Sequence, residues 1–108
     1  MFKVVKRLKA EEIKAEDCTK HYQEKEDRIR AYKELKSGRI IASFLIDKGH
    51  SNGYEVHNLY SNRIIRVYNN NSKKAITLLY AREGQIKRYF KNAPLHLFDD
   101  FIEGYNYK

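Results

Sequence analysis

Two groups of residues in this sequence could act on a phosphate ester. The first lies on short β-prone runs: Ser43, His57, Arg66 and Thr77 supply a titratable ring, a fixed cation and two hydroxyls. Histidine changes protonation near neutral pH, which suits it to general acid or base work. The second follows the last of those runs. A helix starting near Arg82 would put Arg82, Gln85 and Tyr89 along one edge, beside the apolar Ile86 and Phe90. Arginine makes two-pronged contacts to phosphate and stabilises the charge of a pentavalent phosphorus. Glutamine and tyrosine on the same edge could orient a ribose or stack a base. Lys87, Arg88 and Lys91 project elsewhere as charge that tracks a backbone. Taken singly, most of these residues have plainer readings: His57 as a hydrogen-bonded strand histidine, Arg66 as a solvated one, Thr77 as a good strand former, Tyr89 and Phe90 as core.

The surrounding charge supports a polyanion partner. Between Arg63 and Lys91 eight Lys and Arg face one acid, Glu83, so 29 residues carry +7 of the chain's +8. Such a concentrated field suits nucleic acid, RNA ahead of DNA, and rules out a mimic of DNA. Other chemistries lack their residues. His50 and His57 have no Cys or carboxylate at ligand spacing, and His21 and His96 stand alone, so no metal site is expected. Phosphate-binding glycine loops, nucleophile elbows and paired cysteines are missing, and no cofactor is called for. Asp99 and Asp100 read as a helix cap or solubilising pair. Cys18, the one cysteine, excludes an internal disulfide.

These side chains need a scaffold, and 108 residues with 13% aromatics suffice for one folded domain. Residues 9–36 hold no Pro or Gly and are rich in helix formers, so a helical N-terminal segment over 1–38 is expected. A cap at Asp17 or Thr19 leaves open whether it is one helix or two. Arg39–Asp47, Tyr54–Tyr60, Arg63–Asn69 and Ala75–Ala81 are strand-length runs separated by turn residues. They predict a four-stranded antiparallel meander over 39–81. Helices over 82–104 follow, the last opened by Pro94 and carrying Leu95, Phe98, Phe101 and Ile102. The fold class expected is α+β: N-terminal helix or helices, four-stranded sheet, C-terminal helices. If the helices cover Phe44, Val56, Val67 and Leu78, the other sheet face presents Ser43, His57, Arg66 and Thr77 together. No signal peptide or membrane span is expected, and the location expected is cytoplasmic, the host's if the source is viral.

The run Ile76–Arg82 leading into Gln85–Tyr89, with a histidine on an inner strand, resembles the barnase/RelE-like superfamily over about residues 39–90. These are small ribonuclease toxins that need no metal, with relatives in phages and toxin systems. The resemblance implies cleavage of RNA by the ribose 2′-hydroxyl. It makes His57 the general acid or base, has Arg82 clamp the phosphate, and has Thr77 and Gln85 position it. Tyr89 would stack or donate, and Lys87 and Arg88 would track the backbone. Barnase-type members use an inner-strand carboxylate, and Glu55, on His57's face, is the one strand candidate. Two other functions fit the same residues: a non-catalytic nucleic-acid-binding regulator, or a phage-encoded inhibitor of a host enzyme, of anti-CRISPR type. An antitoxin or other protein partner, and a monomer or homodimer, are compatible with all three.

Overall fold

The computed structural model describes residues 3–11, 17–32, 39–49, 53–81, 83–90 and 95–98. Five strands follow one another: β1 (Lys3–Leu8), β2 (Ile40–Asp47), β3 (Tyr54–Tyr60), β4 (Ile64–Asn69) and β5 (Ala75–Tyr80). One helix, α1 (Lys20–Tyr32), lies between β1 and β2, and a single turn, α2 (Glu83–Ile86), follows β5. A 3-10 turn covers Leu95–Leu97. The strands form one sheet in chain order, each antiparallel to its neighbours.

This overturns the expected α+β domain with a four-stranded sheet between helical ends. The described chain is mostly β, with α1 its one helix of more than two turns. Lys3–Leu8 is a strand because Val4 and Leu8 can turn toward the sheet while its cations stay in water. Charged side chains along an edge strand also discourage pairing with another chain. A bulge between Val4 and Lys6 breaks the alternation that would have revealed it. The expected helix shrinks to α1, while Ile13 and Leu35 lie outside the described residues. Thr19 caps α1: its Oγ1 accepts from the Tyr22 N–H (3.0 Å) and donates to the Ile76 carbonyl (2.7 Å), tying the helix to β5. After β5, the expected long helix is one turn. Phe101 and Ile102 lie outside the described residues.

Residues paired across an antiparallel ladder point to the same face, so the register assigns the faces. One row runs Arg7–Phe44–His57–Val67–Thr77 across all five strands. The next row, on the opposite face, runs Leu8–Ser43–Asn58–Arg66–Leu78. The expected floor of Ser43, His57, Arg66 and Thr77 is therefore split between two faces, as is the expected covered set of Phe44, Val56, Val67 and Leu78. Parity fixes alternation within a strand but says nothing of register between strands.

Each face has its own core. α1 covers the second face, where Tyr22 packs with Tyr60, Ile64, Tyr68, Ala75 and Leu78. On the first face Leu59, Ile65, Val67 and Ala81 pack with Ile86 and Phe98, and Phe44 packs with Tyr89 and Phe90. Arg63 adopts a left-handed φ of 68° in the β3–β4 turn. Its guanidinium is buried, 5.3 Å from the Phe98 ring centre.

Candidate active site

β5 ends at Tyr80, and the buried Ala81 that follows bonds the Arg63 carbonyl through its N–H (2.8 Å). The chain then turns back over the first face. Past α2, Arg88 N–H bonds the Gln85 carbonyl (3.2 Å) and Tyr89 N–H that of Ile86 (3.0 Å). These i→i+3 bonds bring side chains three apart onto one side. Ile86, fully buried, therefore anchors the turn and delivers Tyr89 onto the sheet, while Lys87 and Arg88 stay exposed. Tyr89 lies 5.0 Å from Phe44 between ring centres, and Phe90 meets Phe44 edge-on at 5.1 Å. The plain reading of both aromatics as core holds for their rings.

The Tyr89 hydroxyl has a second task. It sits 2.7 Å from His57 Nδ1, while His57 Nε2 lies 3.0 Å from Glu55 Oε1. Glu55 and His57 are two apart on β3, so both face the same way. An ionised carboxylate only accepts, so Nε2 carries the proton toward Glu55. Burial holds the ring below its ordinary pKa, against the pull of Glu55, so the neutral form prevails and Nδ1 accepts. Burial likewise pushes the Tyr89 hydroxyl up, against Arg88, so it keeps its proton and donates. The result is a directed chain, Tyr89 to His57 to Glu55, that orients one carboxylate.

That chain forms part of the wall of a cavity of about 330 Å³. Its polar lining is His21, Lys48, Glu55, His57, Thr77, Gln85, Arg88 and Tyr89, over a floor of Ile65, Val67, Ile76 and Leu79. Two cations, a carboxylate and two imidazoles thus meet in a space within the range of small-ligand sites. Among the described residues no three His, Cys, Asp or Glu converge as metal ligands. No described helix is long and apolar enough to cross a membrane.

Of the residues singled out from the sequence, His57, Thr77, Gln85, Arg88 and Tyr89 share this cavity. Lys87 is exposed but does not line it. Arg66 belongs to the opposite face, half-buried, its guanidinium 4.9 Å from the Tyr60 ring centre. Arg82 and Lys91 lie outside the described residues. Of the remaining polar lining residues, sequence reasoning named Glu55 only as the inner-strand carboxylate candidate and gave Lys48 and His21 no site role. Glu55 had a signal, its two-residue offset from His57; Lys48 and His21 reach the cavity only through the tertiary fold. No family model, curated protein or solved structure matches the chain.

Proposed function

We propose that this chain binds RNA in the cavity on the first face and cleaves it without a metal. The observation that carries this reading is the Tyr89–His57–Glu55 hydrogen-bond chain in the wall of a cavity that also holds Lys48 and Arg88. In this reading Glu55 is the general base and takes the proton of a ribose 2′-hydroxyl. The 2′-oxygen attacks the adjacent phosphorus, the P–O5′ bond breaks, and a 2′,3′-cyclic phosphate forms. His21, on the same wall, gives its proton to the departing 5′-oxygen. Arg88 and Lys48 hold the phosphate and offset the charge that builds on it. Thr77 and Gln85 orient the ribose. His57, with both ring nitrogens engaged, positions Glu55; this replaces the simpler assignment of His57 as the group that moves the proton.

The test is incubation with total RNA and with DNA, in EDTA and in magnesium, with end-group analysis. RNA should be cut in EDTA to products with 2′,3′-cyclic ends, and Glu55→Gln should slow the cut by about 10²–10⁴-fold, the range of general base catalysis. RNA left intact in every condition, or Glu55→Gln cutting at the parent rate, overturns the reading. One observation favours a second function, non-catalytic binding of nucleic acid: β1 exposes Lys3, Lys6 and Arg7, on an element that does not line the cavity. Binding that weakens steeply with salt, with no product formed, would select it.

A further inference from the structure

The second face holds a cavity of its own, of about 350 Å³, over the row that contains Ser43 and Asn58. Both residues are buried: Ser43 is 2% exposed and Asn58 0%. Ser43 Oγ donates to Asn58 Oδ1 at 2.8 Å, yet Asn58 Nδ2 has no hydrogen-bond partner among the described residues. Exchanging the two ends of the amide would only exchange an orphan donor for an orphan acceptor. A buried amide left half-satisfied costs stability that an apolar side chain of similar size would not. An orphan at the floor of a cavity is accounted for by a ligand that meets it. Leu8 and Val56 supply apolar wall, and Lys9 and Lys73 supply cations. Glu11 also lines the space, but it is well exposed and its contact with Lys9 is long, 3.9 Å.

We infer that this second cavity binds a nucleoside monophosphate unit, the edge of its base on Asn58 and Ser43 and its phosphate between Lys9 and Lys73. The base edge supplies the partner the amide lacks, and the hydroxyl of Ser43 keeps lone pairs for a donor on the same edge. Leu8 and Val56 flank the base. The volume falls in the range of sites that enclose small ligands. The Asn58 amide is closed to solvent, so the residues that line the cavity must shift as the base enters. This site does not depend on the cleavage chemistry of the first face, and the two readings fail separately.

The experiment is an NMR titration of the full chain with the four 5′-mononucleotides, with inorganic phosphate as control and short RNA as a further arm. Resonances of Ser43, the Asn58 side-chain amide and Lys73 should shift saturably with at least one mononucleotide. Phosphate alone should bind about tenfold or more weakly, having no base to place. Lys73→Glu should weaken binding by about tenfold, the loss of one charge-assisted contact. Asn58→Leu should abolish the shifts and Ser43→Ala should weaken them, and the double variant Ser43→Ala/Asn58→Leu, which removes both ends of their buried hydrogen bond, should abolish the shifts with a melting temperature near the parent's. A mononucleotide that saturates the site alone marks a free nucleotide as the ligand, and tighter binding of RNA marks a subsite for a chain; either supports the inference. No shift with any mononucleotide or short RNA at about 10 mM nucleotide, shifts confined to Thr77 and Gln85, or unchanged affinity in Asn58→Leu overturns it.

Discussion

Tyr89→Phe removes one oxygen and leaves the ring, so it isolates the hydrogen bond that directs the His57–Glu55 pair. The ring keeps its place 5.0 Å from Phe44, and the aromatic packing is retained. What is lost is the donor 2.7 Å from His57 Nδ1, on a residue only 5% exposed. Leaving a buried acceptor unpaired costs about 1–3 kcal/mol. The lower end applies if a water from the adjoining cavity takes the hydroxyl's place. At about 4 °C per kcal/mol for a domain of this size, the melting temperature should fall by about 4–12 °C. Thermal and urea unfolding measure the loss, and long-range proton–nitrogen NMR of the imidazole reads the cause. In the parent protein near pH 7.5 Nε2 should carry the proton and Nδ1 should not; in the variant that preference should loosen. If Tyr89→Phe unfolds within about 0.3 kcal/mol of the parent, inside ordinary surface-substitution scatter, or if Nδ1 carries the proton in the parent, the directed chain is wrong. The positioning role of His57 then falls with it.

The pH dependence of stability follows from the same groups. His57, held below its ordinary value of about 6.5 by burial, binds protons more readily when unfolded, so stability is full above about pH 6.5 and declines as pH falls toward the folded value; His57→Gln should flatten that limb of a stability curve. Tyr22, Tyr68 and Tyr89, all pushed up by burial, keep their protons in the fold while the unfolded chain loses them, so stability should fall above about pH 10, with these three tyrosines ionising late in an ultraviolet titration. Thr19→Ala removes the cap of α1 and the tie to the Ile76 carbonyl, and should cost about 1–2 kcal/mol in urea unfolding. Phe44→Ala withdraws the ring against which Tyr89 and Phe90 pack and should cost about 3–5 kcal/mol, with loss of the ordered His57 resonances.

Four strands were legible because their chemistry is local. Tyr54–Tyr60 is bounded by a glycine turn and by Ser61–Asn62, and Ala75–Tyr80 follows an asparagine loop; both occupy the residues their punctuation marks. β1 was not legible, because its half-buried apolar residues, Val4 and Leu8, fall on opposite faces across a bulge and show little alternation, and its cations look the same in a strand as in a solvated tail. Register was not legible either. Nothing in β3 alone says whether His57 stands opposite Ser43 or Phe44, yet that single choice decides which face the histidine joins. The C-terminal turn was half legible: of the edge expected from helical spacing, Gln85 and Tyr89 both line the first-face cavity and Arg82 lies outside the described residues, while the helix stops at Ile86 and an i→i+3 turn completes the approach.

The basic stretch shows why charge composition locates a site less well than it suggests a partner. Composition counts a buried guanidinium and an exposed one alike. Arg63 is 3% exposed over Phe98, and Arg66 lies half-buried over Tyr60, so both act within the fold. Lys74 sits 3.4 Å from Asp17, a carboxylate distant in sequence that partly offsets it. Among the described residues the exposed field of the stretch thus rests on Lys73, Lys87 and Arg88, and β1 adds Lys3, Lys6 and Arg7 from outside it. Lys73 and Arg88 line the cavities of opposite sheet faces. A single polyanion track along the stretch would need both cations on one side. Their separation therefore favours two distinct anion-binding sites, and it predicts that Arg88→Glu and Lys73→Glu weaken different ligands, each loss being the same in the double variant as in the single one.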